Sequence, residues 1–145
     1  MDEDYDLRGI DLFAEDAQLA VARHGYLISH AGVYPSIWPQ DLDLHEGVRH
    51  LNQTMRSIRD AATPDSLEPP ITATGRARGG TADFGGPLWL DWEQEFEDSL
   101  AFPQICGHSV DAAPRQKGRS WCLDAGQTAY ATLNSQGVLR VHHMT

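Results

Sequence analysis

Two histidines carry the clearest chemistry in this 145-residue sequence. His30 closes the run Tyr26-Leu27-Ile28-Ser29 and is followed at once by Ala31 and Gly32. His108 follows Gln104-Ile105-Cys106-Gly107 and precedes Ser109. A short apolar run that breaks into glycine reads as a buried strand ending in a tight turn. Each imidazole is therefore expected at the carboxyl end of a strand, where open α/β sheets place their ligands. A neutral imidazole on a rigid strand end suits a transition metal. Two of them begin a site for a divalent metal such as Mn, Fe or Zn, short of the three protein ligands that a zinc centre takes. Hydrogen bonding of each ring at its own strand end accounts for the same pattern. A second charge signal is Arg78, which with Arg76 sits in a glycine-rich stretch and has the charge to hold a phosphate-like anion; a surface role fits it equally.

The elements that must position these residues follow from periodicity. A cap at Asp11 and a stripe of Phe13, Ala17, Ala20 and Val21 predict a first helix over 12–23, ended by Gly25. A loop with Pro35 and Pro39 follows the first strand. Leu44, Val48, Leu51, Met55 and Ile58 recur at helical spacing and predict a second helix, capped by Asp41 or Asp43. His45, Arg49, Asn52 and Arg56 fall off that stripe, and His45 and His50 read as solvent-facing. Residues 62–87 form a long loop rich in Gly and Pro. Alternation in Leu88-Trp89-Leu90-Asp91-Trp92 predicts a strand, and the charged 93–99 segment a helical turn or two. Strands over 104–106, 120–123, 128–133 and 138–142 complete the chain, the last two joined by a hairpin at 134–137. Helices early and strands late indicate an α+β or layered α/β fold in one domain over 1–145, with an acidic, frayed 1–10.

Composition narrows the function classes. A formal net charge of −10 and a pI of about 4.9 argue against nucleic-acid binding through a basic patch. Seven acids against Arg8 in the first twenty residues would suit a basic protein partner or solubility. No apolar run reaches the roughly 18 residues of a membrane span, so no membrane association and a cytoplasmic location are expected. Cys106 and Cys122 each lie in a strand-like run and read as buried thiols.

Four fragments, in order, resemble calcineurin-like metallophosphoesterases. Ser29-His30-Ala31-Gly32 is similar to the fourth motif of that family, a strand ending in His before small residues. Ile105-Cys106-Gly107-His108-Ser109 resembles the fifth. Trp121-Cys122-Leu123-Asp124-Ala125-Gly126 resembles the strand and Asp-x-Gly turn that comes next, and the 85–92 segment resembles the stretch ahead of the fifth motif in bacterial and phage members. The resemblance implies that His30 and His108 are metal ligands in a two-metal hydrolase, where the ions polarise phosphate and activate a bridging water. The Asp-x-His, Gly-Asp-x-x-Asp and Gly-Asn-His motifs that precede the fourth motif in the family are not found in the 29 residues ahead of His30. Where the family clamps phosphate with an arginine near the fifth motif stands Asp91, leaving Arg78 as a remote phosphate-binding candidate.

The expectation is a partial metallophosphoesterase-like sheet with two helices packed on it. It resembles the C-terminal half of the family, has no catalytic residues of its own, and is inactive on phosphate esters by itself. The missing half would be replaced by a protein partner or a homodimer. An active phosphoesterase completed by a partner chain or dimer, and an acidic phage-type inhibitor or interaction protein, are the alternatives.

Overall fold

The computed structural model describes residues 17–60 and 71–145. The acidic 1–10 stretch, the Asp11 cap, residues 12–16 of the expected first helix and residues 62–70 of the expected loop lie outside them. Strands β1 (Ala20–Arg23), β2 (Tyr26–Ser29), β3 (Gln104–Cys106), β4 (Arg115–Lys117) and β5 (Ser120–Cys122) form a five-stranded mixed sheet in the order β1-β2-β3-β5-β4. Strands β6 (Ala129–Leu133) and β7 (Leu139–His143) form a separate antiparallel hairpin. One α-helix, α1 (Leu44–Asp60), stands among the described residues. The fold is mixed α+β.

The expected helix over 12–23 is corrected at its end, because residues 20–23 are strand β1. Its four residues pair antiparallel with β2, Val21 opposite Ile28, across a two-residue turn at His24-Gly25. Both turn residues have positive φ, +47° and +86°, the backbone that a tight hairpin connection requires. The apolar stripe that suggested a helix is equally served by strand pairing, and the pairing supplies a hydrogen-bonded neighbour that a lone helical turn would lack.

The centre of the sheet is parallel: β2 pairs with β3 and β3 with β5. Pleating sends Ala22, Leu27 and Gln104 to one face and Val21, Ile28, Ile105 and Trp121 to the other. The first face is sealed. Leu27 is fully buried there with Ala20 and Ala22 under Val48, Leu51 and Ile58 of α1. Cys106 and Cys122 continue that face beneath Leu90, Trp92 and Phe96. On the second face Val21, Ile28 and Trp121 are only half-buried.

Helix α1 begins with a capping box: Asp43 accepts from the Glu46 amide at 2.8 Å while Glu46 accepts from the Asp43 amide at 3.2 Å. Its Leu/Val/Ile stripe is core, as its spacing predicts, and His45 and His50 are exposed. Asn52 is the exception to the polar face. It is buried, accepts from the amides of Leu19 and Ala20, and donates to the Ala20 carbonyl at 2.9 Å. The helix thus satisfies edge strand β1 with one side chain.

The 88–92 segment is not a strand. Gly86 accepts from the amides of both Trp89 and Leu90, closing turns, and a Cβ at Gly85 would meet the Trp89 carbonyl carbon at 2.6 Å. The described part of the expected loop, 71–87, is built of turns around a short 3-10 segment, Arg76–Arg78. In the 93–99 segment residues 93–95 belong to a single turn, closed by the Glu95 and Phe96 amides on the Asp91 carbonyl, and 96–99 are irregular. Strand β4 was not anticipated; it pairs antiparallel with β5 through a turn at Gly118-Arg119.

Candidate functional site

Three neighbouring parallel strands deliver one chemically able residue each just beyond their carboxyl ends: His30 after β2, His108 after β3 and Asp124 after β5. Parallel pairing aligns those ends on one edge of the sheet, so residues 78 apart in sequence meet. The Nε2 atom of His30 lies 3.0 Å from Nδ1 of His108, with ring centroids 4.8 Å apart. Two ring nitrogens at this distance share one proton: one is N–H, the other offers its lone pair.

Backbone and side-chain latches hold the two turns together. Gly107 donates its amide to the His30 carbonyl at 2.8 Å, and Ala31 donates to Pro87 at 3.0 Å. Gln104, on β3 and buried, accepts from the Val33 amide at 2.9 Å and donates to the Val33 carbonyl at 3.0 Å. That pair of bonds anchors the chain just after His30 to the strand that leads to His108. Gly32 turns with φ +99°, and a Cβ there would lie 2.8 Å from the Phe96 ring. His108 itself has φ +68°, a left-handed backbone that a non-glycine residue adopts at a cost.

Arg78 reaches this site through a polar bridge. Its Nη2 donates to Ser109 Oγ at 2.6 Å, and its Nε lies 3.0 Å from Asp91 Oδ2, poorly aligned for a hydrogen bond. Ser109, next to His108, also accepts from the Trp92 amide at 2.9 Å. Arg78 is thus brought beside His108, and Asp91 is its ion-pair partner. Asp91 therefore offsets the charge of Arg78, the phosphate-binding candidate. Arg76 instead pairs with Asp83 at 3.3 Å on the exposed side of the loop.

The electrostatics favour neutral rings. Partial burial holds the His30 pKa below its ordinary value against the opposing pull of Asp124. Burial likewise lowers His108, helped by the charges of His30 and Arg78 and opposed by Asp124 and Asp91. A metal ion takes one lone pair from each neutral imidazole, so an ion between these rings would replace the proton they share. Two nitrogens each about 2.05 Å from a tetrahedral ion stand about 3.3 Å apart, so the observed 3.0 Å needs only a slight opening. The other His108 nitrogen, Nε2, is buried without a hydrogen-bond partner.

The donor set fits a metal only in part. No group of three or more His, Cys, Asp or Glu side chains capable of holding an ion occurs among the described residues. Asp124 biases both rings electrostatically without joining them in such a group. Two ligands make an anchor, and no hydrolytic step is routed through it.

Trp89 and Asp124 are the neighbours that periodicity did not single out. Trp89 meets His108 edge-on, centroids 5.7 Å apart at 88°. Asp124 lies two residues past its strand, as His108 does, and that shared offset is the signal that would have found it. Among the described residues, a cleft of about 720 Å³ runs from the two rings along Val21, Ile28, Met55, Leu88 and Trp89. No helix of the described residues is long and apolar enough to cross a membrane. No protein-family model, no curated protein and no solved structure matches the chain.

Proposed function

We propose that this chain is a metallophosphoesterase-like domain, resembling the C-terminal half of that family, that anchors a divalent metal through His30 and His108 and does not hydrolyse phosphate esters by itself. It acts through binding, either to a protein partner or to a second copy. The observation that carries the reading is the 3.0 Å approach of His30 Nε2 to His108 Nδ1 at the ends of adjacent parallel strands. Each ring follows the strand-to-turn pattern that resembles the fourth or fifth family motif, and the two meet through the nitrogens a metal would use. The absence of a third ligand among the described residues supports weak retention of metal and no turnover.

The binding half of the proposal draws on the sheet. The family packs two sheets face to face, and the half-buried Val21, Ile28 and Trp121 are where a covering layer would sit. Exposed Tyr130 and Val138 on the β6–β7 hairpin extend apolar surface nearby in the chain.

Calorimetric titration with Mn²⁺ and Zn²⁺ tests the anchor. Weak binding abolished by His30→Ala and by His108→Ala supports it, whereas binding that ignores both substitutions overturns it. Hydrolysis of an aryl phosphate with added Mn²⁺ separates the second reading, an active phosphoesterase, which the placement of Arg78 beside His108 favours. Turnover lost in both histidine variants would install that reading in place of the first.

A further inference from the structure

We infer that Cys106 and Cys122 form a reversible dithiol–disulfide pair beneath the His108 turn, with hydrogen peroxide as the oxidant. The two residues are direct partners in the parallel β3–β5 register, so their side chains leave the sheet on the same face. Paired residues of neighbouring strands lie about 4.8 Å apart, inside the roughly 4.4–6.8 Å Cα window of disulfides. Both are free thiols, and both are buried in one cluster with Ala31, Leu90, Trp92 and Phe96.

The surroundings distinguish the two sulfurs. Arg115 points Nη2 at Cys122 Sγ from 3.5 Å, and the guanidinium is itself held by Glu93 at 2.7 Å. The charge of Arg115 is felt by Cys106 too, but its guanidinium nitrogen lies against Cys122. A guanidinium against the sulfur favours the thiolate of Cys122 and lowers its pKa. Cys122 is therefore the nucleophile and Cys106 the resolving thiol.

The steps balance without another reactant. Cys122 sulfur attacks one peroxide oxygen; the S–O bond forms, the O–O bond breaks, and the departing hydroxide takes up a proton as water. Cys106 sulfur then attacks the Cys122 sulfenic acid; the S–S bond forms, the S–O bond breaks, and hydroxide leaves with the Cys106 proton as a second water. Two thiols lose two electrons and one peroxide is reduced to two waters. Burial of both sulfurs selects a small oxidant over a bulky disulfide such as oxidised glutathione.

The pair is wired to the turn above it. Cys122 Sγ contacts the carbonyls of Gly107 and Ser109 at 3.4 and 3.5 Å, the two residues that flank His108. Closing the disulfide ties β3 to β5 beneath the turn and takes Cys122 Sγ out of its contacts with those carbonyls.

Intact-mass spectrometry of the native protein after peroxide, with thiols blocked before digestion, tests the inference. The expected result is a loss of about 2 Da, a cross-linked peptide joining Cys106 to Cys122, and recovery of both thiols with dithiothreitol. Oxidised glutathione is expected to leave the folded protein unchanged. Thiols that stay reduced until denaturant is added would overturn it. So would oxygen adducts on either sulfur without a cross-link, or disulfide-linked dimers. Because the wild-type protein carries the readout, no variant has to fold for the result to count.

Discussion

The two imidazoles face each other because each sits one or two residues beyond a strand end, and those ends are aligned by parallel pairing. Their basicity is depressed chiefly by burial, which gives a signed expectation for pH. The unfolded chain takes up protons at the ordinary histidine value of about 6.5, while the folded rings resist until the pH is lower. The unfolded state then binds more protons in that interval, so stability falls as pH drops through about 6.5 toward the folded values. Urea midpoints at pH 7.5 and pH 5.5 should show the loss, and it should shrink in a His30→Gln/His108→Gln double variant. Imidazole NMR titration of the wild type gives the direct check: both rings should titrate below free histidine. A ring that titrates at or above the free value would contradict the burial argument.

At the level of elements, single polar side chains replace what a longer strand or a second helix would supply. Asn52 satisfies the amides of Leu19, just ahead of β1, and of Ala20, and the Ala20 carbonyl, from the buried side of α1. Asn52→Ala leaves those groups buried and unpaired, at about 1–3 kcal/mol for an orphaned group, and should lower the urea midpoint accordingly without changing the register of β2. Gln104 does the same for the chain after His30. Gln104→Leu should destabilise by a similar amount. It should also broaden the His30 and His108 imidazole signals, because the latch that holds the two turns together is gone. Gly47 lies on α1 where a Cβ would overlap the Trp38 ring. Gly47→Ala is expected to cost at least the roughly 1–3 kcal/mol of an overpacked core, outweighing the roughly 1 kcal/mol that alanine gains over glycine in a helix.

For the molecule as a whole, the two faces of the sheet are unequal. One is sealed by α1 and the 84–96 turns; the other exposes part of Val21, Ile28 and Trp121. The proposed association is tested by gel filtration with light scattering over a range of concentrations. A mass rising above 16.0 kDa is expected, and a monomer at every concentration would count against pairing of copies. The net charge of −10 sets a further expectation. Copies repel at low ionic strength, so added salt should strengthen self-association, whereas it should weaken capture of a basic partner.

Local rules read directly from the residues determined a good deal. The five-position apolar stripe makes α1, and Asp43 with Glu46 makes its start. The apolar runs ending in Gly make β2 and β3, and Asn134 to Gly137 makes the last turn, where Gly137 takes φ +77°. Each depends on neighbours within a few positions, which is the range over which periodicity and turn chemistry act. What reached further was decided by the tertiary structure. Residues 20–23 carry a stripe that serves helix or strand, and pairing with β2 selected the strand. Alternation at 88–92 lost to the turns that Gly85 and Gly86 permit, and Asn52 was drawn inside by unpaired groups of a strand more than thirty residues away. The meeting of His30, His108 and Arg78 has the same origin. Strand order is a choice among distant partners, made by which hydrogen-bonding edges and apolar faces match, and no local window contains it.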